Sequence, residues 1–144
     1  MNSTATSAPI GAGRKTQSQD GQPVAPLMGQ QRRFDGGVAA FRCEPFVFAA
    51  GLNDHALMFQ FLPKGANGTD VVISWLVDSS ARDDEIDLDR MIWLWDVTTL
   101  QDKAIIERNQ AGVLSRFYRP GLFSKMEPGT QQYVERYVAE LERK

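Results

Sequence analysis

Between residues 46 and 90 the apolar pattern changes period, and this change limits the fold more than any other feature. Up to residue 78 the large apolar residues alternate. In His55–Leu62 one face would carry His55, Leu57, Phe59 and Phe61, and the other Ala56, Met58, Gln60 and Leu62. In 69–78 one face would carry Val71, Ile73, Trp75 and Val77. Period two is the signature of a strand with one face buried. A third β-rich run, Phe46-Val47-Phe48-Ala49, precedes them. The turns Gly51-Leu52-Asn53-Asp54 and Pro63-Lys64-Gly65-Ala66-Asn67-Gly68 separate the runs and are short, so the expected sheet is an antiparallel three-stranded meander. Asn67-Gly68-Thr69 matches a glycosylation sequon but reads better as part of a hairpin turn.

From residue 84 the spacing becomes helical. The acidic stretch 84–89 suits a helix N-terminus, and Asp87 is the expected N-cap. Met91, Trp95, Ile105 and Ile106 recur at helical spacing, and Gly112 is the expected stop. Val97-Thr98-Thr99 is a weak stretch that allows a break in the helix. After a turn at Tyr118-Arg119-Pro120-Gly121, a last helix is expected over 130–142, with Tyr133, Val134, Tyr137, Val138 and Leu141 as its apolar stripe. The fold class is therefore α+β: a β meander, a long helix and a C-terminal helix. Three strands make a thin sheet, which suggests part of a larger one. Residues 1–37 are rich in Ser, Thr, Gly, Gln and Pro without apolar period, so a disordered lead-in is expected there and an ordered domain over 38–144.

Composition narrows the chemistry. A net charge of −2 points to neither nucleic acid nor an anionic membrane surface. No apolar run approaches the ~20 residues of a membrane span. Met1–Gly13 has no signal-peptide core, and a single cysteine, Cys43, fits a cytoplasmic location. With one histidine and one cysteine the chain cannot hold a Rieske cluster, which needs two of each. The same shortage rules out a complete two-histidine, one-carboxylate iron site and the usual zinc sites.

His55 opens an apolar strand after a polar turn, so it reads as an edge imidazole with one hydrogen bond; as a metal ligand it would lack partners. Asp102 lies mid-helix on a face that includes Met91, Trp95, Thr98, Ile105 and Ile106. Helical geometry leaves two readings open. The carboxylate lies on the solvated margin near Lys103, or it is a ligand whose metal offsets the cost of an apolar setting. Met91, Trp95 and Thr98 would line a substrate side or simply pack in a core, and core packing is the reading for Trp93.

The order of short motifs adds a further argument. Trp95-Asp96-Val97-Thr98-Thr99-Leu100-Gln101-Asp102 runs on to Glu107-Arg108-Asn109-Gln110-Ala111-Gly112-Val113-Leu114-Ser115, then to Tyr118-Arg119-Pro120-Gly121-Leu122-Phe123-Ser124 and Glu127. Upstream stand Asn53-Asp54-His55-Ala56 and Trp75-Leu76-Val77. Together they resemble the C-terminal signature of the α subunit of Rieske-type ring-hydroxylating oxygenases, over residues 38–141, about three quarters of the chain. The nearest flavour is the branch acting on quaternary ammonium compounds.

The resemblance implies a helix-grip (SRPBCC-like) catalytic domain and a mononuclear Fe(II) held by two histidines and an aspartate, with Asp102 as that aspartate. It also implies a [2Fe-2S] Rieske cluster in an upstream domain, a reductase as electron donor, O2 and a small organic substrate to be hydroxylated or demethylated, and a homo-oligomer. The iron histidines and the cluster ligands of that pattern fall upstream of these residues, so activity from this chain alone is not expected. The competing expectation is a non-catalytic module that binds a small ligand or pairs with another subunit.

Overall fold

The structure is a computed structural model that describes residues 3–43 and 45–143. The chain divides into two units, Met1–Gln101 and Asp102–Lys144.

The first unit is built on an antiparallel sheet of β1 (Ser3–Pro9), β2 (Gly37–Cys43), β3 (Val47–Gly51), β4 (Ala56–Pro63) and β5 (Thr69–Leu76), in the order β1-β2-β3-β4-β5. The expected meander is present as β3–β4–β5. Its register pairs Ala50 with Leu57 and Leu57 with Trp75. The inward face of β4 is the one the alternation gives: Leu57 is fully buried and Phe59 nearly so. Ala50, Leu57 and Phe59 form one small core, with Phe48, Ile73, Trp75 and Trp95 packed against it. Val24, Ala25 and Met91 form a second, flanked by Trp75, Val77 and Ile86.

Two strands exceed the meander, and β1 with the loop after it occupies the stretch that composition marks as a disordered lead-in. β1 pairs along its whole length with β2, from Ser3 opposite Cys43 to Pro9 opposite Gly37. The loop between them closes at its base through Ile10 N–H to Gly36 O, 2.8 Å. It buries Thr16, Ser18, Val24 and Ala25. The physical reason for the departure is that this segment is seated by hydrogen bonds to distant residues rather than by a periodic apolar face. Composition records apolar content and period, not polar pairing.

The long helix α1 (Leu88–Val113) follows a 3-10 turn at Asp83–Glu85. Asp87 caps it as expected: its carboxylate accepts the Arg90 N–H at 3.2 Å and its carbonyl accepts the Met91 N–H at 3.0 Å. The helix does not break at 97–99. Thr98 returns its hydroxyl to Leu94 O at 2.7 Å and sits within the helix. Nor does Gly112 stop it by a left-handed turn; the helix continues to Val113.

In the second unit α2 (Pro128–Glu142) has Pro128 at its start. The preceding turn is tied by Ser124 N–H to the Glu127 carboxylate at 2.8 Å and Met126 N–H to Ser124 Oγ at 3.2 Å. Hydrogen bonds from Ser124 hold the Glu127 carboxyl below its usual range. The expected apolar stripe of α2 is present, with all five residues exposed to solvent in this chain.

Candidate functional site

Helix α1 carries Met91, Trp95, Thr98 and Asp102, four residues at spacings of four, three and four. The structure gives them different surroundings. Met91 is fully buried in the core with Val24 and Ala25. The Trp95 ring meets Phe59 edge-on, with centroids 5.4 Å apart, so it completes the sheet-side core. Its Nε1 is buried without a partner among the described residues. Thr98 is half-buried, its hydroxyl used within the helix. Asp102 opens the second unit and is exposed. Trp93 departs from its expected core position: it is 40% exposed. Two residues from Trp95 is about 200° of helix rotation, which turns its ring away from the sheet.

His55 is deeper than an edge imidazole. It has no solvent exposure, and its Nδ1 lies 2.9 Å from Asp54 Oδ1. Its Nε2 is buried with no partner among the described residues. Asp54 is equally buried and also accepts from the Thr16 hydroxyl at 2.5 Å and the Val24 N–H at 3.0 Å. Burial pushes its carboxyl up, but His55, Thr16 and Val24 together hold it below the ordinary value of 3.8. Thr16 and Asp54 are 38 residues apart, and no local signal in the sequence connects them.

Iron is the test this site must meet. Among the described residues no three His, Cys, Asp or Glu side chains come together in a way that could hold a metal. An oxygenase iron site takes two histidines and a carboxylate on one face of the metal. The residues present do not fit such a site by themselves: the sequence has one histidine where the site takes two, and Asp102 is one carboxylate.

Comparison with known proteins settles the family. The model of the ring hydroxylating α subunit, catalytic domain, matches residues 2–143. The chain belongs to this family. The match takes in β1 and the following loop as well as the 38–141 stretch that carries the resemblance, so the family domain extends across the N-terminal region too. Among curated relatives of this ring-hydroxylating α-subunit domain is the glycine betaine monooxygenase oxygenase subunit of Chromohalobacter salexigens. It is 34% identical over 135 residues, which cover 92% of this chain and 30% of the relative. The glycine betaine monooxygenase oxygenase subunit of Pseudomonas aeruginosa is 33% identical over 119 residues, 81% of this chain and 28% of the relative. The chain thus spans under a third of the length of these relatives. The α+β order of antiparallel sheet, long helix and C-terminal helix is consistent with the catalytic domain. No helix among the described residues is long and apolar enough to cross a membrane.

Proposed function

We propose that this chain supplies the C-terminal part of the catalytic domain of a Rieske-type oxygenase α subunit that uses O2 to hydroxylate or demethylate a small organic substrate. A quaternary ammonium compound such as glycine betaine is the substrate class. The observation that carries the reading is the extended similarity to glycine betaine monooxygenase oxygenase subunits, 34% identity across 92% of the chain. In such an enzyme a mononuclear Fe(II) and a [2Fe-2S] Rieske cluster, fed by a reductase, supply the redox chemistry. This chain would contribute Asp102 as the one anionic oxygen ligand. Within the first unit, Met91 and Trp95 pack the start of α1 against the two cores.

The test is a chimera in which these residues replace the matching region of a glycine betaine monooxygenase oxygenase subunit. Hydroxylation at an N-methyl carbon releases formaldehyde, so formaldehyde, iron per subunit and the visible spectrum of the cluster are measured together. Asp102→Ala is expected to abolish formaldehyde release and lower mononuclear iron while leaving the cluster spectrum intact. Asp102→Glu displaces the carboxylate by about 1 Å, enough to cost ~100-fold in turnover. Asp96→Ala is the mild control. Full iron and normal turnover in Asp102→Ala would remove the ligand role. An iron-loaded chimera that turns over other substrates but no quaternary ammonium compound would remove the substrate class.

A second reading, a subunit-pairing module, is favoured by the apolar surface of the second unit, where Leu122 is 100% and Met126 90% exposed. Iron-dependent turnover by the chimera would exclude it as the main role.

A further inference from the structure

Asn53-Asp54-His55 is a motif that the proposed oxygenase chemistry does not use, and all three residues are buried. They form the turn between β3 and β4, and each of the first two is bonded to the long loop 10–36. Asn53 accepts from Met28 N–H through its carbonyl at 2.8 Å and from Asp35 N–H through its side chain at 3.1 Å, and it donates to the Gln31 side chain at 3.1 Å. Asp54 takes Thr16 and Val24, with His55 as its third donor.

The bonds continue past the loop. Val24 N–H donates to Asp54 and Val24 O accepts the N–H of Asp87, the N-cap of α1, at 2.8 Å. Gln19 N–H reaches Arg90 O at 3.1 Å, and the Arg90 guanidinium donates to Asp20. Between the two anchor points Val24 and Ala25 pack on Met91. The loop is thereby a strap, fastened to the β3–β4 turn at one side and to the first turn of α1 at the other.

We infer that the Asn53-Asp54-His55 turn is a polar clamp whose task is to position the start of α1 through the 10–36 strap, with Asp54 as the positioning residue. A carboxylate is needed here because it offers only acceptors. Three donors converge on it, and an amide in its place would turn an N–H2 group toward one of them. A buried donor left unmet is costly, so the loss should appear at the strap before it appears in the sheet. The clamp is built through Nδ1 of His55, and Nε2 takes no part in it.

Hydrogen exchange on the whole chain, resolved by residue, tests this. In Asp54→Asn the amides of Val24, Gln19 and Asp87 should exchange about tenfold faster or more, while the amides of β4 keep their protection. Thr16→Val should act in the same direction with a smaller effect, and Thr16→Ser should restore the wild-type rates. His55→Asn, which can present a donor where Nδ1 stands, should keep the strap in place relative to β4. His55→Gln should not. Unchanged rates at Val24 and Asp87 in Asp54→Asn would overturn the inference, as would acceleration shared equally by β4, which would mean a general loss of stability. Should Asp54→Asn fail to fold, the Thr16 pair decides the question at the same amides. Rapid strap exchange in His55→Asn with intact β4 would overturn the role given to Nδ1.

Discussion

Asp54 is ionised because three donors outweigh its burial, and that has a consequence for acid stability. Its folded-state value lies below the 3.8 of the unfolded chain, so the ionised form favours folding. The contribution is complete above pH 3.8 and fades as pH falls through the lower folded-state value. Two other carboxylates, exposed Asp20 and half-buried Asp78, behave alike. Asp20 is lowered to about 2, chiefly by the Arg90 hydrogen bond, and Asp78 to about 2, chiefly by the Ser80 hydroxyl. The chain is therefore expected to lose stability progressively below pH 3.8, and Asp54→Asn to flatten that limb; urea titrations at stepped pH would show it. A slope unchanged by the substitution would place the proton uptake elsewhere. The carboxylate itself is readable in the sequence as a turn residue, and His55 as a residue with one polar bond. Its full burial is not, because Thr16 lies 38 residues before Asp54 and no periodicity links them.

At the scale of elements, the alternation of β4 is a reliable guide, since a one-residue slip would put Leu57 and Phe59 in water. Leu57 has no exposed surface, so Leu57→Ala should cost about 2–5 kcal/mol. Leu122→Ala, at a residue 100% exposed, should be near neutral. Denaturant midpoints for the pair would contradict this if their order were reversed. Helix α1 is legible in type and in its cap, because Asp87 supplies the oxygen that the first turn lacks. Its end is not, because glycine permits a left-handed stop without requiring one. A Cβ at Gly112 would meet nothing within 4 Å, so Gly112→Ala should raise stability by about 0.5 kcal/mol. A loss of stability in the melting curve would show that the glycine is needed for an approach by another surface. β1 stays hidden for a different reason. Ser3–Pro9 is made of small residues without alternation, and its strand state comes from pairing with β2.

On the scale of the whole molecule, the uneven covering of apolar residues stands out. The first unit has two small cores, whereas Ile105, Ile106, Leu114, Phe117, Leu122 and Met126 are each more than 60% exposed. Surfaces of this kind bind partners or one another. The isolated chain is expected to self-associate, with an average mass by light scattering that rises with concentration. A concentration-independent monomer of 16.1 kDa would contradict this. The sheet order carries a consequence of another sort. Every strand pairs with its neighbour in sequence, so β2 to β5 can assemble by short closures in succession, at low cost in chain entropy. Joining β1 to β2 must instead wait for residues 10–36 to close on themselves. The chain should therefore refold in two kinetic stages, with pulse-labelled amides of β1 protected last and those of β3 to β5 first. Shortening the strap at residues outside the clamp would speed the late stage, making the time at which β1 joins a property of loop length rather than of strand composition.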